Sequence, residues 1–90
     1  MPLTNILIKN IKSKPKPFKL FDSGGLYLLV TPKGNKWWRL KYYYQNKELL
    51  LSLGVYSAIS LKEARNRRDE AKGLLAKGIN PGEQRKKKKP

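Results

Sequence analysis

The sequence predicts an α+β fold, in which a three- to four-stranded antiparallel sheet is packed on one face by a single C-terminal α-helix. Three observations support this fold class. In the middle of the chain, short runs of alternating side-chain character are separated by turn residues, which is typical of strands with one buried face. Toward the C-terminal end, apolar residues recur every three or four positions, which predicts one amphipathic helix. The 90 residues suffice for one modest core of this kind.

The first segment, residues 1–19, is basic and only briefly helical. Thr4 is a predicted N-cap for one or two helical turns over residues 5–11. Pro15 and Pro17 then block a helix and favour an extended path that displays lysines. Two interpretations stay open at this point, because such a segment can be a solvated leader or an arm that contacts phosphates.

Strands are predicted where the period of the pattern becomes two. A turn that contains Gly24 and Gly25 precedes the main strands, because glycine adopts positive φ without strain. A second turn is expected at residues 32–35 and a third at residues 45–47. The predicted strands are residues 18–21 at an edge, 26–31, 36–44 and 48–53, the last of them stopped by Gly54.

One helix is predicted from Ser60 to about Lys77. The Ser60 hydroxyl is placed to accept a hydrogen bond from the backbone N–H of Glu63, as in a capping box. Gly78 supplies a stop signal. We therefore divide the chain into a basic arm (1–19), a folded unit (20–78) and a basic linker or tail (79–90). The helix stripe that faces the sheet is predicted to be Leu61, Ala64, Ala71 and Leu75.

Alternation along the longest predicted strand separates a core face from an outer face. A single helix covers only one face of a sheet, so the other face is expected to meet solvent or a ligand. The core face is predicted to carry Trp38, Leu40, Tyr42 and Tyr44, with Leu26, Leu28, Val30, Leu51 and Leu53 from the neighbouring strands. The outer face is predicted to carry Trp37, Arg39, Lys41 and Tyr43, with Tyr27, Leu29, Thr31, Leu50 and Ser52 beside them.

The charge of the chain indicates a polyanionic partner. Twenty-one Lys and Arg against six Asp and Glu give a formal net charge of +15. Such a charge repels itself, and nucleic acids are the densest anions that would offset it. The chain has no cysteine and no histidine, which excludes disulfides, thiolate zinc sites and the usual general base. We therefore expect this chain to lack catalytic residues and to bind no metal and no cofactor.

No stretch of the sequence approaches the length of an apolar membrane span. We therefore expect a cytoplasmic protein with no membrane partner.

The outer face alternates cations with aromatic rings, a composition that suits duplex DNA. Guanidinium and ammonium groups contact phosphates and guanine edges, and a slim β-ribbon fits the major groove. Three alternatives remain: a surface that stacks single-stranded RNA, a protein-assembly surface, or cross-strand pairs that only stabilise the sheet. The predicted DNA contacts are Tyr27, Lys33, Lys36, Trp37, Arg39, Lys41 and Tyr43, with Lys14 and Lys16 from the arm.

Four ordered motifs carry a resemblance to a known family. They are residues 24–28 (GGLYL), 36–42 (KWWRLKY), 53–65 with its LGVY and SLKEAR, and 78–81 (GINP). Together they resemble the N-terminal arm-DNA-binding domain of phage and genomic-island tyrosine recombinases. The resemblance implies the same sheet and helix, and binding of arm-type duplex sites during site-specific integration and recombination.

The resemblance also implies a longer protein, with core-binding and catalytic domains after the basic tail. The full-length protein would then be a tyrosine recombinase that works with other integrase protomers, whereas we expect the isolated domain to be a monomer. None of the five tyrosines is expected to be the nucleophile. Leu49 and Leu50 stand where relatives commonly carry polar or basic residues, which weakens direct DNA contact by that strand and leaves a protein contact open.

Overall fold

The computed structural model describes residues 3–83 of the chain. All neighbouring strands pair antiparallel, and the sheet has the order β1-β2-β3-β4, so each hairpin leads to the adjacent strand. This confirms the predicted fold class, and the sheet has four strands, the larger of the two predicted numbers. The elements are α1 (Asn5–Asn10), β1 (Phe18–Phe21), β2 (Leu26–Val30), β3 (Lys36–Tyr44), β4 (Lys47–Val55) and α2 (Leu61–Ala76).

Tight turns set the register of the two long hairpins. Between β2 and β3, the Thr31 N–H donates to the Asn35 carbonyl at 2.9 Å. Between β3 and β4, Gln45 and Asn46 both adopt positive φ, at 51° and 63°. A two-residue turn with this geometry matches the twist of the flanking strands, which explains why β4 begins at Lys47.

The predicted stop of the last strand at Gly54 is wrong. β4 continues to Val55 through a bulge, in which Gly54 pairs with Trp38 and Ser52 pairs with Arg39. Gly54 has a φ of 116°, which a residue with a side chain rarely adopts. The glycine therefore bends the strand and leaves one extra residue unpaired, and the pairing with β3 resumes beyond it.

Caps fix both ends of α2. The Ser60 hydroxyl accepts from the Glu63 N–H at 3.1 Å, as predicted. At the other end Gly78 has a φ of 78°, and the Ile79 N–H donates to the Leu74 carbonyl at 2.9 Å. This is a Schellman-type ending, which satisfies helix carbonyls that would otherwise lack donors.

The core lies between the sheet and the helices, on the face that alternation predicted. Trp38 and Leu40 are fully buried, and the Trp38 indole N–H donates to the Ile59 carbonyl at 2.8 Å. α2 is joined on this side by the N-terminal segment, because Leu3 and Ile8 are also buried in the core. The remaining buried members of the cluster are Leu26, Leu28, Val30, Tyr42, Leu51, Leu53, Leu61, Ala64 and Ala71.

Residues 1–19 therefore supply core contacts as well as lysines. The boundaries predicted at residues 19 and 78 stay predictions. Most of the predicted tail, from residue 84 onward, lies outside the described residues.

A buried carboxylate joins the N-terminal segment, the turn before β2, and α2. Asp22 accepts from the backbone N–H of Leu3 at 2.8 Å and from two nitrogens of Arg65 at 2.9 and 3.0 Å. Arg68 adds a contact at 3.2 Å. Burial alone raises the pKa of Asp22, but the Arg65 hydrogen bond, the Leu3 N–H and the Arg65 charge outweigh it and hold the pKa below its usual value.

The end of the β3–β4 hairpin extends past β2. The β2 pairing ends at Leu26 opposite Leu40, whereas β3 and β4 stay paired to Tyr44 opposite Lys47. We call this projecting part, residues 41–50, the ribbon. Its core-side surface is held by the exit from α2, since the Tyr42 hydroxyl lies 2.7 Å from the Asn80 side-chain oxygen and the Tyr44 hydroxyl donates to the Gly78 carbonyl at 3.2 Å.

Candidate nucleic-acid interface

The face of the sheet opposite α2 gathers cations, aromatic rings and a few apolar side chains, and we call it the open face. Cross-strand partners share a face, so the register assigns its members in rows. The rows are Lys19, Leu29, Trp37 and Val55; then Phe21, Tyr27, Arg39 and Ser52; then Lys41 and Leu50; then Tyr43 and Glu48.

Arg39 lies at the centre of the open face. Its guanidinium carbon is 5.7 Å from the centre of the Trp37 ring, within the range of a cation–π contact. Its Nε is buried and has no hydrogen-bond partner among residues 3–83. A buried N–H without a partner is costly, and because this atom is covered, an outside acceptor reaches it only if the side chain moves. The predicted pair of Trp37 and Arg39 is thus brought together.

Lys41 and Tyr43 extend the open face along the ribbon. The Lys41 ammonium lies 2.7 Å from Oε1 of Glu48, and the Tyr43 hydroxyl donates to the same oxygen at 3.3 Å. The hydrogen bond to Glu48 and its charge raise the pKa of Lys41. The same hydrogen bond holds the pKa of Glu48 below its usual value, although burial opposes this. All three groups therefore keep a defined arrangement at the surface.

Tyr27 lies on the open face, but its side chain is covered. It is only 3% exposed. The Lys19 ammonium lies 5.1 Å from the centre of its ring, and the centre of the Phe21 ring lies 5.7 Å from it. In this arrangement Lys19 and Phe21 are exposed on the open face, and the Tyr27 ring packs beneath them. A base could stack on Tyr27 only after these neighbours move.

The other predicted lysines do not join this cluster. Lys36 is on the core side of β3, where its ammonium donates to the Ile8 carbonyl at 2.7 Å. Lys33 is exposed in the β2–β3 turn, at the end of β3 opposite to the ribbon. Lys14 and Lys16 are exposed in the extended segment before β1, with the Lys14 ammonium 4.8 Å from the centre of the Phe18 ring.

The sequence analysis missed four members of the open face, which are Lys19, Phe21, Glu48 and Val55. Lys19 could have been found by applying the two-residue period to β1, where it alternates with Phe18 and Leu20. Glu48 carried no signal of its own, because the contacts to Lys41 and Tyr43 arise only from the register of the β3–β4 hairpin. Large apolar or aromatic side chains that are exposed on the open face are Phe21, Tyr43, Leu50 and Val55.

Other classes of site find no support in the described part of the chain. Residues 3–83 contain no group of three or more acidic, histidine or cysteine side chains that could hold a metal ion. Within the same residues, no helix has the length and apolar character that crossing a bilayer requires.

Comparison with known proteins identifies the family. The sequence profile of the family described as "Arm DNA-binding domain" matches residues 3–88. The chain belongs to the arm DNA-binding domain family. This confirms the family that the four motifs indicated, and DNA binding is the function that membership gives to the chain.

Relatives of this arm DNA-binding domain are named as integrases. "Prophage integrase IntZ" of Escherichia coli (strain K12) is 49% identical over 90 residues, which cover 98% of this chain and 22% of that protein. "Integrase" of Enterobacteria phage P4 is 46% identical over 83 residues, which cover 90% of the chain and 19% of that protein. The arm DNA-binding domain thus spans about a fifth of the length of the curated relatives it matches.

Proposed function

We propose that this arm DNA-binding domain binds double-stranded DNA at arm-type sites through its open face. One observation carries the proposal: the core helices lie on one face of the sheet, while Trp37, Arg39 and Lys41 lie together on the other. A sheet face with this composition has the hydrogen-bond donors that phosphates and guanine edges accept.

The shape of the ribbon supports insertion into the major groove. Beyond Lys41, whose N–H still donates to the Gly25 carbonyl at 2.9 Å, no third strand pairs with the ribbon, and a two-stranded ribbon is narrow enough for that groove. The ribbon's core-side contacts with Gly78 and Asn80 hold it in place before any ligand arrives. Such a fixed element loses little conformational entropy on binding.

Two groups of residues take different roles in the proposal. Arg39 lies beside Trp37 at the centre of the open face, so we assign its guanidinium to a base edge, with guanine as the matching acceptor. Lys14, Lys16 and Lys33 lie away from this centre and are exposed, so we assign them to phosphates. Lys36 is bound to a carbonyl on the core side and is left without a DNA contact.

The whole protein is proposed to be a tyrosine recombinase that acts with other protomers in DNA integration. The support is the names of the relatives and the small share of their length that this chain covers. The domain itself is proposed to be monomeric and without catalytic residues. Because its proposed ligand is duplex DNA, we propose the cytoplasm as its place of action. Sedimentation without DNA tests the monomer, and a concentration-dependent dimer through the apolar part of the open face would contradict it.

Titration of labelled random-sequence duplexes at several salt concentrations tests the proposal. If about five to eight phosphates are neutralised, log affinity should fall against log salt with a slope of roughly −4 to −7. Arg39→Ala should weaken binding by about 1–3 kcal/mol and relax the base preference in a selection from a duplex library. Lys14→Ala and Lys16→Ala should weaken all sequences alike.

Lys62→Ala is the matched control, because it removes one exposed lysine from α2, on the other side of the sheet. It should change the affinity less than any of the three variants. A flat salt response, or tighter binding of single-stranded RNA than of duplex DNA in competition, would contradict the proposal. If Arg39→Ala and the lysine variants lose the same affinity for every DNA sequence, the proposed base contact of Arg39 is wrong.

A further inference from the structure

Glu48 is an exception on a surface that is otherwise cationic, aromatic or apolar. Among the four described strands it is the only acidic residue. It lies on the open face near the tip of the ribbon, directly opposite Tyr43. A carboxylate at this position repels the phosphates of DNA. Its presence on a surface proposed to bind DNA therefore needs an explanation other than a gain in affinity.

The contacts of Glu48 tie it to the cation beside it. The Lys41 ammonium and the Tyr43 hydroxyl both approach Oε1, at 2.7 and 3.3 Å. The side chains of Lys41 and Glu48 are 46% and 52% exposed, so the pair is accessible to a ligand. A glutamate of ordinary pKa is already charged at neutral pH, and the hydrogen bond from Lys41 lowers the pKa of Glu48 further.

This pairing has opposite consequences for random and matching DNA. Random DNA is bound through its phosphates by whichever cations are available, and an ammonium held by a carboxylate is less available. A carboxylate in the major groove is also an acceptor for the exocyclic amino group of cytosine, N4. Only a sequence that presents such a donor at the right position compensates for the loss of the Lys41 contact.

On the basis of the duplex binding proposed above, we propose that Glu48 is a specificity-determining residue of the open face. It restrains Lys41 from sequence-blind phosphate contacts and accepts a hydrogen bond from cytosine N4 in the matching site. Specificity is a difference between two affinities, and a group that weakens the wrong complex contributes to it as much as one that strengthens the right complex.

A purely structural role does not account for Glu48. The ribbon is held from its core side by the Tyr42 and Tyr44 hydroxyls, which contact Asn80 and Gly78 independently of Glu48. An exposed ion pair of this kind contributes little to folding. Substitution of Glu48 should therefore leave the fold intact, as circular dichroism can verify, while the binding properties change.

Selection from a library of random duplexes, with the wild-type domain and with Glu48→Gln, tests the proposal. For Glu48→Gln we expect tighter binding to unselected duplex by about threefold or more and a salt slope steeper by about 1, because Lys41 becomes available. We also expect the ratio of selected to unselected affinity to fall by about tenfold, with the loss confined to one cytosine position. The amide oxygen of the glutamine can still accept a hydrogen bond from cytosine, so Glu48→Ala, which removes the acceptor altogether, is tested as well. It should give at least the same loss of preference.

Glu63→Gln provides the matched control. Glu63 is exposed, its carboxylate lies 3.6 Å from Arg67, and it belongs to α2 on the other side of the sheet. It makes the same charge change and disrupts an ion pair of the same kind, so it should alter selected and unselected binding equally and only slightly. If Glu63→Gln reproduces the effects of Glu48→Gln, the effect is one of net charge and the proposal is overturned.

Two further outcomes separate this proposal from the one on which it rests. If the wild-type domain selects a sequence and both Glu48 variants select the same one with the same affinities, the role of Glu48 is overturned and duplex binding stands. If the wild-type domain binds no duplex at any salt concentration, the proposed function itself fails.

Discussion

Asp22 and Glu48 are two carboxylates of a strongly basic chain, and each is paired with basic side chains. Asp22 has a fully covered side chain, and its partners Arg65 and Arg68 come from another element, α2. Glu48 is half exposed, and its partner Lys41 comes from the neighbouring strand of the same hairpin. Both have a lowered pKa, because in each case a basic side chain donates a hydrogen bond to the carboxylate.

Burial, rather than the presence of an ion pair, separates the roles of these two carboxylates. Water does not reach the Asp22 side chain, so the loss of its charge leaves Arg65 with the Leu3 carbonyl alone and removes one of the two carboxylates that Arg68 contacts. The pair of Glu48 and Lys41 is open to water, so it adds little to the stability of the fold. The first carboxylate therefore holds the fold together, and the second is free to act on a ligand.

Asp22→Asn should have the largest effect on stability. The substitution keeps the size of the side chain but removes the charge that pairs with Arg65 and Arg68. Because Arg65 is partly exposed and Arg68 keeps Asp69, we expect the loss of a charged hydrogen bond, about 2–3 kcal/mol. For a domain of this size that is a large part of the free energy of unfolding, about 5–10 kcal/mol. Urea denaturation followed by circular dichroism measures the loss.

Asp69→Asn is the control for that experiment. Asp69 also pairs with Arg68, at 3.0 Å, but its side chain is 64% exposed. It should lower the free energy of unfolding by less than about 1 kcal/mol. Equal losses for Asp22→Asn and Asp69→Asn would mean that burial does not separate the two carboxylates.

The pH dependence of stability should show an intermediate effect. A carboxyl whose pKa is lower in the folded state contributes stability above its unfolded pKa, and this contribution is lost as the pH falls through the folded value. For Asp22 that window lies below about pH 4. Urea midpoints measured from pH 6 down to pH 2 should therefore fall for the wild type, and the gap to Asp22→Asn should narrow toward pH 2. A gap of constant size would show that the charge of Asp22 is not what stabilises the fold.

Glu48→Gln should have the smallest effect on folding. Its urea midpoint at pH 7 should match that of the wild type, because the pair with Lys41 is open to water. The same variant is expected to change DNA binding, so stability and binding separate at this residue. A clear drop in the urea midpoint would instead place Glu48 with Asp22 among the residues that hold the fold.

Much of the fold could be predicted from local patterns. The bounds predicted for the strand at residues 36–44 are those observed, and Ser60 begins the helix as its cap chemistry indicates. The core face was predicted because side chains alternate along a strand whatever the rest of the fold. The end of β4 was mispredicted because a glycine marks a bulge as readily as a stop, and only the partner strand distinguishes them.

The site was less predictable, since it depends on neighbours from other strands. Trp37, Arg39, Lys41 and Tyr43 share a face by periodicity alone. The covering of Tyr27 by Lys19 and Phe21 requires the register of β1 against β2.

The charge, most of the elements and the side of the sheet on which each side chain lies could be predicted from the sequence, because they follow from residue type and a two-residue period. The tertiary structure decided which charges are neutralised, because ion pairs form between groups that are distant in sequence, such as Asp22 and Arg65. It also decided which rings are accessible and which lysines face the core. Those properties depend on what packs against a side chain, and the sequence of one strand does not specify which elements lie beside it.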